Sequence, residues 1–344
     1  MSVELLAQLQ ERSAFDPAPR HDALYEVHVP FDEITGATGC EGALNAAIRS
    51  GRRVALVGPA GAGKSSVTAH VLGPLVEGLA PLLVPVAVGV DGSDIATDQR
   101  AFARHLLGLL RRQIGKSLPD RAGRPGLEAP RRQRQVTSTR RATMGPPWLT
   151  VELSREIQAV LDDTAETARE LLEQVRDVLA VVTEAGLRPV LVLDDTDKWI
   201  NSPWQPDVRR IRAGFFGSVI RVIAEDLSAA AVVAVHDSYR GDPAYEAAQG
   251  FLDTTVDVPP LTSSAAVERI LARRVELSLD GAQDTAWRLL HDDALDALFA
   301  HYADGATRNI RRRVLYIAHA ALTEAVDAQA EQIRAEHVHL AIQA

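Results

Sequence analysis

The sequence predicts an α/β fold: a parallel sheet flanked by helices, followed by a C-terminal domain that is all helical. Between residues 36 and 258, short apolar runs alternate with helix-compatible segments. This alternation is typical of parallel sheets with right-handed crossovers, whose ligands bind at the carboxyl ends of the strands. After Pro259-Pro260 only helical periodicity remains. The change of pattern predicts that a second domain begins there.

The predicted strands are short and rich in aliphatic residues. They cover residues 53–57, 82–88, 189–193, 229–235 and 254–258. The third and fourth runs contain hardly any polar residue, as expected for strands that are buried on both faces. Pro85 interrupts the second run, and a proline fits an edge strand better than a central one because it cannot donate to the ladder.

Helices are predicted before, between and after these strands. Those of the sheet domain cover residues 41–50, 66–72, 97–114, 150–184 and 207–227. As a single helix, residues 150–184 would extend about 50 Å. A break is therefore expected near Asp163-Thr164-Ala165-Glu166, which resembles a capping box. The predicted domains are a leader over 1–35, a domain with the parallel sheet over 36–258 and a helical domain over 259–344.

Composition narrows the class of protein. The 344 residues are 46% hydrophobic, which is enough for two sizeable cores. Cys40 is the only cysteine, which excludes an intramolecular disulfide and a cysteine-rich metal site. The sequence contains no signal-peptide pattern and no run of 18 apolar residues. A cytoplasmic protein that does not enter the membrane is expected.

The most specific motif follows the first predicted strand. With the first residue of the next helix it comprises Gly58, Pro59, Ala60, Gly61, Ala62, Gly63, Lys64, Ser65 and Ser66. It has the pattern G-x-x-x-x-G-K-[ST], in which glycines let backbone N–H groups surround a phosphate chain. Lys64 is expected to reach the β- and γ-phosphates, and the Ser65 hydroxyl to bind Mg²⁺. A chance glycine-rich turn is the alternative, but it leaves the flanking strand and helix unexplained.

Two acids stand at the end of the third predicted strand. Asp194 is expected to bind Mg²⁺, and Asp195 to orient the attacking water. Carboxylates at strand ends also serve as helix N-caps, and that reading stays open for this pair taken alone. The phosphate loop favours the metal-binding interpretation.

Positive charge is concentrated in one segment of an acidic chain. Residues 111–141 contain ten basic and two acidic residues, whereas the rest of the chain has 27 basic and 44 acidic residues. Prolines, glycines and weak periodicity predict a basic loop inserted at about 111–149. Nucleic acid or an acidic protein surface would be attracted to Arg111–Arg141, although such loops are often only solvated. No aromatic residue lies among these arginines to stack on bases.

Taken together, the motifs resemble those of the AAA+ ATPases, in the neighbourhood of their initiator-type and signal-transduction (STAND) branches. The phosphate loop and the acidic strand match the Walker A and Walker B motifs of a P-loop NTPase sheet. His236, or the adjacent Asp237 and Ser238, stands where the family carries sensor 1. Gly305-Ala306-Thr307-Arg308 is similar to the G-x-x-R of sensor 2 in the helical lid domain. The resemblance covers residues 35–344.

This resemblance implies ATP and Mg²⁺ as cofactors, a homo-oligomer, an effector protein as partner, and catalytic roles for Lys64, Asp194, Asp195, His236 and Arg308. It also implies an arginine supplied by a neighbouring subunit, for which the candidates are Arg209, Arg210, Arg212, Arg221 and Arg240. Both sensor assignments have structural alternatives. A histidine at a strand end is often a turn residue, and Arg308 precedes three arginines that could form a solvated helix face.

One departure from the family pattern bears on function. The second acid of the Walker B motif is usually Glu, and the shorter Asp195 predicts slow hydrolysis. Two classes of function remain: an ATPase that oligomerises and recruits an effector, with DNA as one partner, or a STAND-like switch in a defence or regulatory operon that binds protein only. A small-molecule P-loop kinase is the least favoured reading, because such enzymes need no separate helical domain.

Overall fold

A computed structural model describes residues 2–17, 24–36, 39–73, 78–84, 92–117, 166–194, 196, 208–227, 229–279, 289–304 and 310–344. The described residues contain a five-stranded sheet. Its strands are β1 Arg53–Val57, β2 Leu79–Leu83, β3 Arg188–Leu193, β4 Ala230–Val235 and β5 Thr254–Asp257. They are arranged in the order β2-β3-β4-β1-β5, and β3 is parallel to both of its neighbours. The predicted parallel α/β fold with a helical C-terminal region is confirmed.

The central strands are apolar because both faces are covered. All six residues of β4 are buried, and so are the last five of β3. β2 lies at an edge of the sheet and includes Pro81. It begins three residues earlier than the apolar run suggested, and Pro85 lies outside the described residues.

The helices before β4 are α1 Ser2–Glu11, α2 Phe31–Thr35, α3 Cys40–Arg49, α4 Lys64–Val71, α5 Gly92–Thr97, α6 Gln99–Ser117, α7 Ala168–Glu184 and α8 Val208–Gly214. Those after β4 are α9 Pro243–Ala248, α10 Ser264–Ser278, α11 Asp292–Ala303, α12 Arg311–Asp327 and α13 Ala335–Gln343. The segment predicted as one helix over 207–227 changes geometry, because α8 continues into π-helical turns at Phe215–Val219 and Val222–Asp226. Among the described residues, no helix is long and apolar enough to cross a membrane.

The chain divides into two compact units. The first consists of Met1–Asn45, Val57–Gly73 and Val256–Ala344. In it, α1 packs on α12, and α11, α12 and α13 pack against one another. The second consists of Ala46–Leu56 and Pro74–Thr255, and within it α6 packs along α7. The domain boundaries expected at residues 36 and 259 stay a prediction.

The capping box of α7 lies four residues after the expected position. The Thr167 hydroxyl accepts a hydrogen bond from Glu170 N–H, and the Glu170 carboxylate accepts from Thr167 N–H at 2.7 Å. Both ends of the motif are thereby satisfied, so the helix begins at Ala168. The expected Asp163–Glu166 motif was wrong as the start of this helix.

The basic segment begins on a helix and not in a loop, because α6 extends to Ser117. Arg111 lies on α6, and its Nη2 donates to Gln174 Oε1 of α7 at 2.9 Å. Burial lowers the pKa of Arg111. Arg111 therefore links α6 to α7. The rest of the predicted loop, residues 118–149, lies outside the described part of the chain, as do residues 150–165.

Candidate nucleotide site

The phosphate loop runs from β1 into α4 and requires glycine at two positions. Gly61 and Gly63 have φ angles of +74° and +102°, in the left-handed region that side chains rarely adopt. Gly63 is the N-cap of α4 and offers no side chain to its first turn. The first hydrogen bond that enters the helix is from Val67 N–H to Gly63 C=O. The N–H groups ahead of it have no acceptor within the helix, which is the arrangement that binds phosphate.

Lys64 is held inside this loop. Only 7% of the residue is exposed, and its Nζ donates to Gly58 C=O at 2.7 Å and to Pro59 C=O at 3.0 Å. The ammonium group is thus positioned by the loop that the phosphates would enter. Ser65 and Ser66 follow in the first turn of α4. The structure therefore places the sequence-predicted loop residues between β1 and the first turn of α4.

The start of α12 packs against the same loop. A Cβ on Gly61 would lie 3.0 Å from Arg312 Cβ, and one on Gly63 would lie 3.3 Å from Arg311 Nη1. The backbone of Arg312 also donates to Gly61 C=O at 3.2 Å. Two glycines therefore make room for the C-terminal helical region beside the phosphate loop.

Arg311 is the arginine that this packing buries. Its guanidinium stacks on the Phe31 ring at 4.3 Å and donates to Pro259 C=O. Burial lowers the pKa of Arg311 to about 10, and its Nε has no hydrogen-bond partner among the described residues. The next two residues, Arg312 and Arg313, are exposed. The sequence left open that this triplet forms a solvated face, and it gave no sign that the first arginine is buried.

The predicted sensor 2 residue, Arg308, lies outside the described residues, as does the second acid, Asp195. Asp194 directly follows β3 and is half-buried. Two residues later, the buried Thr196 hydroxyl donates to Ala234 C=O of β4. This hydrogen bond fixes the chain at the carboxyl end of β3.

His236 follows β4 and caps a short 3₁₀ turn, Asp237–Tyr239. Its Nδ1 accepts from Ser238 N–H at 3.2 Å, which places the proton of the neutral ring on Nε2. Asp237 Oδ1 also lies 3.1 Å from Nδ1, a contact that becomes a hydrogen bond only when Nδ1 carries a proton and no longer accepts from Ser238 N–H. His236 therefore serves as a turn residue, which is the alternative that the sequence left open. In the neutral ring, Nε2–H remains a possible donor to a ligand.

The candidate trans arginines differ in what they contact. Arg212 pairs with Asp242 at 2.5 Å and lies over the Tyr239 ring, so it stabilises its own subunit. Arg221 pairs with Glu225 on the surface. Arg209, Arg210 and Arg240 are exposed. Arg212 is thus the least suited of the five to reach a neighbouring subunit.

Part of the leader belongs to this site, which the sequence analysis did not foresee. His28 contacts Ser66 of α4 and Glu41 of α3, and the Phe31 ring lies 3.7 Å from a Cβ built on Gly63. No short motif marks these residues. The available signal was an apolar stretch with histidine and proline, Val27-His28-Val29-Pro30-Phe31, in a segment predicted to be irregular.

Residues 41–210 match the protein family described as the AAA ATPase domain. The chain contains an AAA ATPase domain. The resemblance to P-loop AAA+ proteins is therefore confirmed. No curated protein matches the chain.

Two solved structures share the fold of this AAA ATPase chain. The ORC2 protein of Aeropyrum pernix, in ADPNP-ADP complexes, has 14% identity and a TM-score of 0.51, with 88% of this chain and 66% of that one covered. CDC6P of Pyrobaculum aerophilum has 17% identity and a TM-score of 0.50, with 96% and 70% covered. This chain thus spans about two thirds of the length of the ORC2 protein. At such identities the likeness concerns the fold alone.

Proposed function

We propose that this chain binds ATP with Mg²⁺ at residues 58–66, hydrolyses it slowly, and acts as an oligomeric ATPase module on a partner. The observation that carries the proposal is the loop itself. Its helix N-terminus is left uncapped by Gly63, and its lysine is already positioned by loop carbonyls. This arrangement suits a phosphate chain, and the ORC2 relative was solved in ADPNP-ADP complexes.

Lys64 would neutralise charge on the β- and γ-phosphates, and backbone N–H groups of the first turn would bind their oxygens. For Mg²⁺ we propose the Ser65 hydroxyl and Asp194. The described residues contain no group of three His, Cys, Asp or Glu side chains that could hold a metal, which fits an ion held largely by phosphates and water. When bound, the ion supplies neutralisation of phosphate charge. Asp195 would orient the attacking water.

Arg311 is proposed as a lid arginine that responds to the nucleotide, beside Arg308, which stays a proposal from the sequence. It is buried against the loop glycine that precedes Lys64, and its Nε has no hydrogen-bond partner among the described residues. Its hydrogen bond to Pro259 also ties it to the segment after β5. A change in the loop on nucleotide binding would therefore be transmitted through Arg311 to the helical region. Oligomerisation, with one of the exposed arginines Arg209, Arg210, Arg221 or Arg240 reaching a neighbouring site, is part of the same proposal.

Two partner classes remain for the module. The basic charge of residues 111–141 favours nucleic acid. The Asp194-Asp195 pair and the acidic remainder of the chain favour a STAND-like switch that contacts only protein. Binding to duplex DNA at physiological salt separates the two, and its test is given in the Discussion.

The test of the ATPase itself uses Lys64→Ala. Removing one charge-assisted contact from a site built around phosphates should weaken ATP binding by about 100-fold or more and abolish turnover. Arg169→Ala is the matched control, since it removes one positive charge from the exposed face of α7. Calorimetry with ATP and ADP, together with phosphate release, gives the readout. Equal affinity in parent and Lys64→Ala would refute the proposal.

A further inference from the structure

His28 forms a buried link between the leader and the phosphate-loop helix. Its Nδ1 lies 3.0 Å from Ser66 Oγ, and its Nε2 lies 3.1 Å from Glu41 Oε1. Only 7% of the residue is exposed. The same Glu41 oxygen accepts from Phe31 N–H at 2.8 Å. The ring is therefore fixed from both sides, in the same compact unit as the phosphate loop.

The partners determine where the ring carries its proton. Burial acts to raise the pKa of Glu41, but hydrogen bonds from His28 and from Phe31 N–H outweigh it, and the pKa lies below its ordinary value. Glu41 is therefore a carboxylate, which only accepts hydrogen bonds. Nε2 must then carry a proton. In the neutral ring Nδ1 is an acceptor, and the Ser66 hydroxyl donates its proton to it.

In the neutral ring this arrangement commits the Ser66 hydroxyl proton to His28, so that the same proton cannot be donated to a bound phosphate. Ser66 lies in the first turn of α4, where phosphates bind. If the hydroxyl kept donating to His28, its oxygen lone pairs would face the negative phosphate oxygens. A proton added at Nδ1 removes the conflict: the ring then donates to Ser66 Oγ, and the Ser66 hydroxyl donates to the phosphate.

The following inference rests on the proposed nucleotide site. We propose that His28 is a positioning residue that takes up a proton from solvent when nucleotide binds. The added proton turns the Ser66 hydroxyl toward a phosphate oxygen. Both the nucleotide anion and the Glu41 carboxylate stabilise the imidazolium. Binding becomes tighter as pH falls, because the bound state holds one proton more than the free state.

The groups around His28 favour the uptake of one proton, at His28, and not of a second one at His70. From α4, the His70 ring lies 4.6 Å away, and its pKa is lowered by partial burial and by His28 itself. From α2, the neighbouring group is the uncharged edge of Phe31, 5.3 Å from the His28 ring. From α12, Arg311 acts on Glu41 by charge. Burial and the charge that His28 acquires thus both disfavour a second proton on His70.

The experiment counts protons during ADP binding. Calorimetry of the full chain in buffers of one pH but different ionisation enthalpies gives the number of protons taken up. The parent should take up more protons than His28→Asn, by up to one, and His70→Asn should behave as the parent does. As the pH falls, the affinity of the parent relative to His28→Asn should rise by up to about tenfold per pH unit, because binding takes up one proton. Comparison with the variant removes the proton that ADP itself exchanges.

A second measurement needs no variant of His28. In ¹⁵N-histidine spectra of the parent, ADP should convert one ring from the form protonated at Nε2 alone to the imidazolium. Equal proton uptake in parent and His28→Asn, or no ring that changes form, overturns the inference while leaving nucleotide binding intact. Absence of any ADP binding by the parent overturns the proposed function, and this inference with it.

Discussion

Arg311 and Gly63 are packed so closely that a Cβ on the glycine would meet the arginine Nη1 at 3.3 Å. The first residue of α12 is thus adjacent to the N-cap of α4. Because Gly63 also has a φ of +102°, the position demands glycine for its backbone as well as for its space. Gly63 therefore serves both the loop conformation and the packing of Arg311.

Gly63→Ala tests this relationship. The left-handed φ should cost about 1 to 3 kcal/mol of stability, and displacement of Arg311 should lower ADP affinity as well. Gly42→Ala is the matched control, because nothing lies within 4 Å of a Cβ at this position in α3, and its φ is not in the left-handed region. Alanine favours helix over glycine, so the control should gain up to about 1 kcal/mol. Urea unfolding measures both, and equal effects would refute the stated role of Gly63.

The two acids after β3 should have separable roles. Asp194→Ala should weaken Mg²⁺-dependent ATP binding, since the proposed ligand of the ion is removed. Asp195→Asn should leave binding intact and slow hydrolysis by about tenfold or more if the residue orients water. ATP titrations with and without Mg²⁺, followed by phosphate release, give the readout. Parental hydrolysis in Asp195→Asn would reduce that residue to a structural acid.

Local chemistry explains why the sequence predicted the phosphate loop and the sheet. Gly58 to Ser65 and the strands beside it depend on neighbours along the chain and on apolar content, so motif and periodicity were sufficient. Arg311 and His28 could not be found in this way. Their partners, Gly63 and Ser66, are distant in sequence, and only folding brings them together.

The predicted start of α7 was wrong because two similar capping patterns lie next to each other in the sequence. The pattern at Asp163–Glu166 and the one at Thr167–Glu170 both resemble a capping box, and hydrogen bonds form at the second. The π-helical turns after Gly214 likewise leave no mark in the apolar periodicity. Glycine is required at position 214 by tertiary packing, because a Cβ there would lie only 2.6 to 2.9 Å from atoms of Thr97.

A pH-dependent contribution to stability is expected from Asp253, just before β5. Its carboxylate accepts from Arg53 Nε and Nη2, both at 2.8 Å, and these hydrogen bonds lower the pKa of Asp253. A lowered folded pKa stabilises the protein above the ordinary value of about 4, and the effect is lost as pH falls through the folded value. Asp253→Asn should therefore cost about 1 kcal/mol at pH 7, allowing for solvent screening.

The control for that variant is Asp177→Asn, on the exposed face of α7. Unfolding by urea at pH 7 and at several values below 4 tests the sign. The difference between parent and Asp253→Asn should shrink as the pH falls. A difference that stayed constant with pH would show that the Arg53 interaction does not depend on the charge of Asp253.

The last prediction concerns residues 111–141, whose charge is the observation that favours DNA. Replacing Arg131, Arg132 and Arg134 by Ala should weaken binding to all duplex sequences about equally. A segment without aromatic residues is suited to contact phosphates and not to stack on bases. Each lost phosphate contact should flatten the slope of log K against log salt by about 0.9. Fluorescence anisotropy with labelled duplex, with ATP present and at two salt concentrations, measures both quantities.

The control in this assay is Arg169→Ala, an exposed arginine of α7 that pairs with Glu173. It removes positive charge from a site outside the segment, so it should leave affinity and salt slope nearly unchanged. Binding by the parent with a flatter slope in the triple variant supports DNA as the partner. If the parent fails to bind duplex at physiological salt, or the triple variant binds with parental affinity and slope, phosphate contacts from these arginines are ruled out. An acidic protein surface would then be the partner inferred for the segment, because charge of this density attracts either kind of anion. The switch that contacts only protein would become the better interpretation of this chain.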